Sequence, residues 1–361
     1  MIDFANLQIQ YQKYKKSIDF NIAKVLDYSS YIMGEDISTL EDHLAEYTGI
    51  KNVITCSSGT DALLIALMAI GTKPGDEIIT TPFSFISTAE VIALLGATPV
   101  FVDIEFDSFN IDVSLIENAI SSKTKAIIPV GLYGQPADLS EINELAIKYN
   151  LKVINDGAQS FGSVYKGSSE AEFVDISTTS FFPSKPFGCY GDGGALFTNN
   201  DDYAELARMI RVHGQVKRYH HQYLGIGGRL DTIQAAILLA KLPYYQDELN
   251  TRNKLAERYN KGLSEKFIIP RIKSNRSSSW AQYTIRVKER DKLVEYLKSK
   301  GIPSAVHYPI PLHLQPCFSY LNYKLGSFEV SEKASQEVLS LPMNAFISGE
   351  ELDFVCKALT S

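Results

Sequence analysis

Lys185 lies in the segment SFFPSKPFGCYGDGG, residues 180–194, with Pro183, Pro186 and Gly188 close on either side. The two prolines fix φ at their own positions and stiffen the loop. A lysine held in that way and partly withdrawn from water has a lowered pKa and can form a Schiff base with a carbonyl compound. Asp156 ends the apolar run LKVIND and is followed by Gly157-Ala158-Gln159-Ser160. A carboxylate at a strand end can hold a protonated heterocyclic nitrogen. A third signal, Ser57-Ser58-Gly59-Thr60-Asp61, falls between a β-rich run and a helical pattern. Small hydroxylated residues and the free N–H groups of a helix N-terminus make a phosphate cradle.

Each signal has an ordinary reading when taken alone. A lysine in a Pro- and Gly-rich loop is commonly a solvated residue, and Ser, Thr or Asp before a helix is commonly an N-cap. Their order along one chain points elsewhere. A phosphate cradle, a strand-end acid and a loop lysine are the parts that pyridoxal 5'-phosphate requires. The acid keeps the pyridine nitrogen protonated, so the ring acts as an electron sink. The lysine anchors the aldehyde and then shuttles the proton. Phe85, in Ser84-Phe85-Ile86-Ser87-Thr88, follows another strand-like run and is placed to stack on such a ring, or to serve as core.

The elements that must position these groups alternate. Strand-like runs at 52–56, 77–80, 99–104, 125–130, 151–156, 176–182 and 195–198 are interleaved with helical patterns at 60–70, 88–95, 113–120 and 139–149. Near-continuously apolar strands between helices predict an α/β domain around a mostly parallel sheet flanked by helices. Ligands of such sheets sit beyond the carboxyl ends of the strands, where Ser57, Asp156 and Lys185 all fall. From about Arg229 the pattern changes. A helix is predicted over 230–242, resuming after Pro243 to 263, then strands at 282–287 and 303–307, with helices at 291–299, 330–339 and 349–359. The reading is a large domain over residues 1–245 and a smaller α+β C-terminal domain over 246–361.

Composition narrows the function. The 361 residues carry a formal net charge of -7, which disfavours a nucleic-acid partner and a membrane surface. Cys56, Cys189, Cys317 and Cys356 are scattered without disulfide or metal-ligand spacing, so no metal is expected. The start lacks the regions of a signal peptide, and the apolar stretch around 91–102 is interrupted by Gly96 and Pro99. A cytoplasmic protein fits. The glycines at 225–228 lack the G-x-G-x-x-G spacing of a dinucleotide fold and lead into no βαβ unit.

The segments SSGTDAL, PFSFISTAE, GLYGQPADL, DGAQSFGSVYKG, SFFPSKPFGCYGDGGALFTN, GRLDTIQAA and HYPIPLHLQP together resemble the nucleotide-sugar aminotransferases, which have the aspartate aminotransferase fold (fold type I). The likeness spans nearly the whole chain. It is strongest to members acting on a UDP-linked 2-acetamido-3-keto-hexuronate, through FFPSKPFGCYGDGG, KRYHHQY and HYPIPLHLQP. The resemblance implies that Lys185 is the Schiff-base lysine, Asp156 the pyridinium partner and Gln159 the residue near the ring hydroxyl. It likewise assigns phosphate contacts to Gly59, Thr60 and Ser180, and stacking to Phe85. Substrate contacts fall on Ser29, Tyr31, Ser184, Arg229, His307 and Tyr308, some of them across the interface of a homodimer with shared active sites. Arg229 and His307 would suit a diphosphate or carboxylate; a strand histidine satisfied by backbone is the plainer reading of His307.

The implied reaction is a two-stage transamination. L-Glutamate leaves as 2-oxoglutarate, pyridoxamine phosphate is the intermediate form, and a nucleotide-linked keto sugar accepts the amine in surface-polysaccharide (O-antigen or lipopolysaccharide) precursor synthesis. A 3- or 4-amination of a nucleotide-linked keto-6-deoxysugar is the alternative, and a non-catalytic cofactor-binding regulator or scaffold a more remote one. Two positions depart from the family pattern. Gly227 stands where an asparagine two residues before the arginine usually reaches the neighbouring subunit's cofactor phosphate, and Gly157 where alanine is common.

Overall fold

The computed structural model describes residues 2–360. Met1 and Ser361, the outermost residues of the two expected domains, lie outside the described residues. Two helices open the chain, α1 (Leu7–Tyr28) and α2 (Glu35–Thr48). Then come β1 (Asn52–Cys56), α3 (Gly59–Ala69), β2 (Glu77–Thr80), α4 (Ser87–Leu94), β3 (Thr98–Phe101) and β4 (Thr124–Ile128). They are followed by α5 (Leu139–Tyr149), β5 (Lys152–Asp156), β6 (Ile176–Ser180), β7 (Gly194–Thr198) and α6 (Asp201–Ile210). The remainder comprises α7 (Thr232–Leu263), β8 (Tyr283–Arg286), α8 (Arg290–Ser299), α9 (Glu329–Glu337), β9 (Val338–Leu341) and α10 (Gly349–Thr360).

Seven strands form one sheet in the order β1-β7-β6-β5-β4-β2-β3. Strands β2 to β6 pair in parallel, and β7 runs antiparallel to both neighbours. The expected mostly parallel α/β sheet is therefore present. Both faces are covered, which explains the uninterrupted apolar strands. Alternate residues of β5 serve opposite cores: Ile154 packs with Ile78, Ile128 and the α3 residues Ala62 and Ala66, and Val153 with Ile79, Ile127 and Ile142 of α5. The same parity sends Asp156 to the α3 side and Asn155 to the other.

A second core gathers Leu255, Tyr259 and Leu263 of α7 with Tyr283 and Ile285 of β8, Leu297 of α8, Leu339 and Leu341 of β9, and Val355 of α10. Helix α7 also sends Leu238, Tyr245 and Leu249 into the core of the large sheet. It therefore runs unbroken through Pro243, where the sequence predicts an interruption. A proline inside a helix costs about 3 kcal/mol, and burial of apolar side chains on both sides of it offsets that cost.

Other expectations shift as well. The helix predicted over 330–339 stops at Glu337, and Val338–Leu341 is instead the strand β9, paired antiparallel with β8. A short, fully buried apolar run does not reveal by periodicity whether it is helix or strand. Residues 303–307 form no strand and contribute one bridge, Ala305 to Ser340; Pro303 has no N–H to donate to a ladder. Strand β3 ends at Phe101, short of Ile104, and residues 113–120 divide into a helical turn over Val113–Ile116 and a 3-10 turn over Glu117–Ala119.

Candidate active site

The ends of β1, β5 and β6 open onto a pocket of about 550 Å³, and all seven residues expected to hold the cofactor line it: Gly59, Thr60, Phe85, Asp156, Gln159, Ser180 and Lys185. Ser58 caps α3, its Oγ accepting the Asp61 N–H at 3.0 Å. The Gly59 and Thr60 N–H groups, in the first turn, have no intrahelical acceptor and are free for an anion. The Thr60 hydroxyl lies 2.7 Å from the Ser87 hydroxyl. Glycine is required at 59 by proximity, since a Cβ there would lie 2.6 Å from Ser180 Cβ.

The Lys185 loop is fixed from several sides. The Cys189 N–H donates to Phe181 O at 2.7 Å, and the Phe181 N–H donates to Gly193 O at 2.7 Å. Helix α7 reaches up with Gln234, whose Oε1 accepts the Tyr190 N–H at 2.9 Å, and with buried Lys241, whose Nζ donates to Gly188 O. Gly188 admits no side chain, because a Cβ would lie 2.6 Å from Phe182 O. Burial pushes the Lys185 amine below its ordinary pKa, opposed by the negative charge of Asp156.

Asp156 is buried. Burial pushes its carboxyl up, while Thr88 Oγ1 donating at 2.7 Å, the Ala158 N–H donating at 3.2 Å and the Lys185 charge hold it down. Gln159 is oriented at both ends: its Oε1 accepts the Tyr133 N–H at 2.9 Å and its Nε2 donates to Tyr308 Oη at 3.3 Å. Phe85 forms a pocket wall with 53% of its surface exposed, so it is not a core side chain. These residues fit pyridoxal phosphate: N–H donors and hydroxyls for a phosphate, an aromatic wall for a ring, a buried acid for its nitrogen and an amine for its aldehyde.

The expected substrate residues divide. Ser184 and His307 line a second recess of about 700 Å³ that shares Lys185 with the first, and Tyr308 meets Gln159. Burial and the Lys185 charge lower the His307 ring to about 4, and its Nδ1 lies 2.9 Å from Ser340 Oγ. At neutral pH such a ring is uncharged, which disfavours the expected role of a cation paired with a diphosphate. Ser29, Tyr31 and Arg229 line neither cavity. Ser29 and Tyr31 instead lie on an exposed rim, tied to the segment that follows Arg229: the Thr232 N–H donates to Tyr31 O at 2.9 Å and Ile32 bridges to Asp231. At Gly227, on the same rim, a Cβ would stand 3.2 Å from the His213 ring, which occupies the space beside it.

Sequence reasoning misses several contributors. Ser87, Phe182 and Asp192 line the first pocket, and Thr88 holds Asp156. Ser84, in the bend before α4, places its hydroxyl 3.2 Å from that of Thr88, a contact that only the folded turn reveals. Gln10 and Arg252, in the second recess, are separated from Lys185 by 175 and 67 residues and leave no local signal.

A profile of the DegT/DnrJ/EryC1/StrS aminotransferase family matches residues 12–360. Among curated proteins, the chain is 48% identical to the UDP-2-acetamido-2-deoxy-3-oxo-D-glucuronate aminotransferase of Pseudomonas aeruginosa, over 100% of both chains. It is 44% identical to a pleiotropic regulatory protein of Geobacillus stearothermophilus, over 99% of this chain and 97% of that one. Among solved structures it resembles ntda from Bacillus subtilis with bound cofactor PMP, with a TM-score of 0.92 and 32% identity over 99% of this chain and 84% of that one.

Proposed function

The chain belongs to the DegT/DnrJ/EryC1/StrS aminotransferase family, and from that premise we propose that it moves an amino group from L-glutamate to the C3 ketone of a UDP-linked 2-acetamido-hexuronate. It is a pyridoxal-phosphate-dependent sugar aminotransferase. The observation that carries the site assignment is the convergence of Lys185, Asp156, Phe85, Gln159 and the Gly59–Thr60 cradle on one pocket. The substrate assignment is supported by the full-length likeness to the glucuronate aminotransferase.

When bound, the cofactor supplies an electron-withdrawing ring that stabilises negative charge on the carbon losing a proton. Asp156, whose carboxylate Thr88 and Ala158 favour against burial, would pair with the ring nitrogen. The Gly59 and Thr60 N–H groups and the Ser180 hydroxyl hold the phosphate, and Phe85 covers the ring and excludes water. In each half of the reaction the Lys185 amine, lowered by burial, takes a proton as base and delivers it as acid; a proton leaves the amino acid's Cα in the first half and one arrives at the sugar C3 in the second. Pro183, Pro186 and the two α7 anchors keep that amine in place between the two halves of the reaction.

The exposed rim belongs in our reading to the neighbouring subunit's site, in a homodimer that brings Ser29, Tyr31 and Arg229 to the sugar nucleotide. Leu224, 90% exposed, and Tyr219, 81% exposed, flank it and suit burial against a second copy. Among the described residues no helix is long and apolar enough to cross a membrane. In our reading the enzyme acts in the cytoplasm, on precursors of surface polysaccharide such as O-antigen.

The test is product formation from L-glutamate with 3-keto and 4-keto sugar nucleotides offered separately. The expected result is one 2-oxoglutarate per amino sugar with the 3-keto hexuronate alone. Amination of the 4-keto deoxysugar alone would replace the substrate assignment, and no amination of either would remove it.

A further inference from the structure

Glu170 carries a carboxyl that plays no part in the proton transfers assigned to Lys185. The residue is 5% exposed and lines neither cavity at Lys185. It reaches beneath the turn that follows Asp156. Ser160 Oγ donates to its Oε2 at 2.7 Å, and a Cβ on Gly157 would lie 2.3 Å from its Oε1. The backbone at Gly157 does not itself require glycine, since its φ is not in the left-handed region. The absent side chain is what the carboxyl occupies; Thr178 O, 2.8 Å from the same point, closes the space from the other side.

The alternation of β5 explains the placement. Asp156 faces the cofactor pocket, and Asn155, on the opposite face, turns its amide to the Glu170 carboxyl. Two buried acids thus stand on either side of one strand end. The turn between them is short: the Ser160 and Phe161 N–H groups both donate to Gly157 O, at 3.2 and 3.0 Å, and it carries Gln159 on its outer side.

Resting on the assignment of Asp156 and Gln159 to the cofactor, we propose that Glu170 is a positioning residue that holds the Asp156–Ser160 turn through Ser160, so that both groups are set before the cofactor enters. The carboxyl fills the space that glycine leaves, and its hydrogen bond fixes the far end of the turn. Its charge bears on the same point. Burial, with the Asp156 charge, pushes it up to about 7, against Ser160 and Asn155. The titratable groups facing it are Asp156 on β5 and the Tyr245 hydroxyl on α7.

The sign of the linkage is fixed by these values. A carboxyl raised from 4.5 to about 7 in the folded chain releases its proton first in the unfolded chain, so its stabilisation falls as pH rises through that window. The experiment compares Glu170→Gln and Glu170→Ala with the unaltered protein. It measures pyridoxal phosphate affinity of the apoprotein by equilibrium dialysis, and the melting midpoint at pH 5 and pH 8. Glu170→Ala is expected to weaken cofactor binding about tenfold, whereas Glu170→Gln, which keeps an acceptor for Ser160, stays within about twofold. Glu170→Gln should melt above the unaltered protein at pH 8 and not at pH 5. An alanine variant that melts lower but binds cofactor unchanged would reduce Glu170 to a structural residue and overturn the proposal, as would a glutamine variant as weak as alanine. Asp156→Asn, measured alongside, separates the two readings. If it too leaves cofactor binding unchanged, the site assignment fails, whereas loss in Asp156→Asn without loss in Glu170→Ala removes Glu170 alone.

Discussion

The floor of the Lys185 pocket and the rim carrying Ser29, Tyr31 and Arg229 differ in what holds them. On the floor, Asp156, Gln159 and the Lys185 loop are held by partners inside the same chain: Thr88 on Asp156, Tyr133 and Tyr308 on Gln159, Gln234 and Lys241 beneath the Lys185 loop. On the rim, Tyr31 is 45% exposed and its hydroxyl meets Ser29 Oγ at 3.5 Å, the limit of a hydrogen bond. One chain is therefore preorganised for the cofactor and, if the rim serves a second subunit, incomplete for the sugar nucleotide. Preorganised dipoles around a reacting centre need no rearrangement during the reaction, whereas a rim that must accept a large substrate gains from being assembled at an interface.

The comparison is broken most severely at Lys185. Lys185→Ala is expected to lower kcat by about 10⁴-fold and to leave the fold and the melting midpoint nearly unchanged, because the loop's anchors lie at Gly188, Cys189 and Tyr190. Multiple turnovers by that variant would contradict the assigned role. Thr88→Val tests the floor more gently. It removes the hydrogen bond that holds the Asp156 carboxyl down, and should weaken cofactor affinity about tenfold, read by dialysis with substrate absent. Unchanged affinity would mean that Asp156 does not depend on its partner.

The rim predicts the opposite pattern. Arg229→Ala should raise KM for the sugar nucleotide by about tenfold to a hundredfold and leave cofactor affinity untouched. Mixing it with Lys185→Ala sharpens the comparison further. If Arg229 serves the partner's pocket, hybrid dimers contain one complete site and activity returns, although neither variant is active alone at low substrate. No return on mixing would place Arg229 with its own chain's pocket and end the two-chain reading.

How far the sequence carries follows the same division. Asp156, Lys185 and Gly59 are legible because each stands at a strand end whose apolar run announces it, and the parallel sheet brings those ends together. Thr88 is obscured because its hydroxyl reads as an ordinary helix residue until Asp156 is placed beside it. Glu170 is silent, since an acid in a run of polar residues, SSEAE, reads as solvated surface, and its burial depends on the gap at Gly157. Strand β9 reads as helix because its residues are buried on all sides. Pro243 misleads in the other direction: local propensity predicts a break, and packing against two cores overrides it.

His307 bears the smallest effect and lines the second recess, which shares Lys185 with the cofactor pocket. Burial and the Lys185 charge lower its ring from 6.5 to about 4. For a histidine depressed in this way, the folded chain binds fewer protons than the unfolded chain between those values. Its contribution is therefore present above pH 6.5 and is lost as pH falls through 4, an effect on the order of 3 kcal/mol. His307→Asn should accordingly lose less stability than the unaltered protein between pH 7 and pH 4, measured by denaturant unfolding. Function follows the same sign. A ring already neutral at pH 6 to 8 gives KM for the sugar nucleotide no inflection from His307 in that range. A KM that rises between pH 6 and 7, and is flattened by His307→Asn, would show a charged imidazolium holding the diphosphate, and would move His307 from the preorganised floor to the class of rim residues that a bound substrate completes.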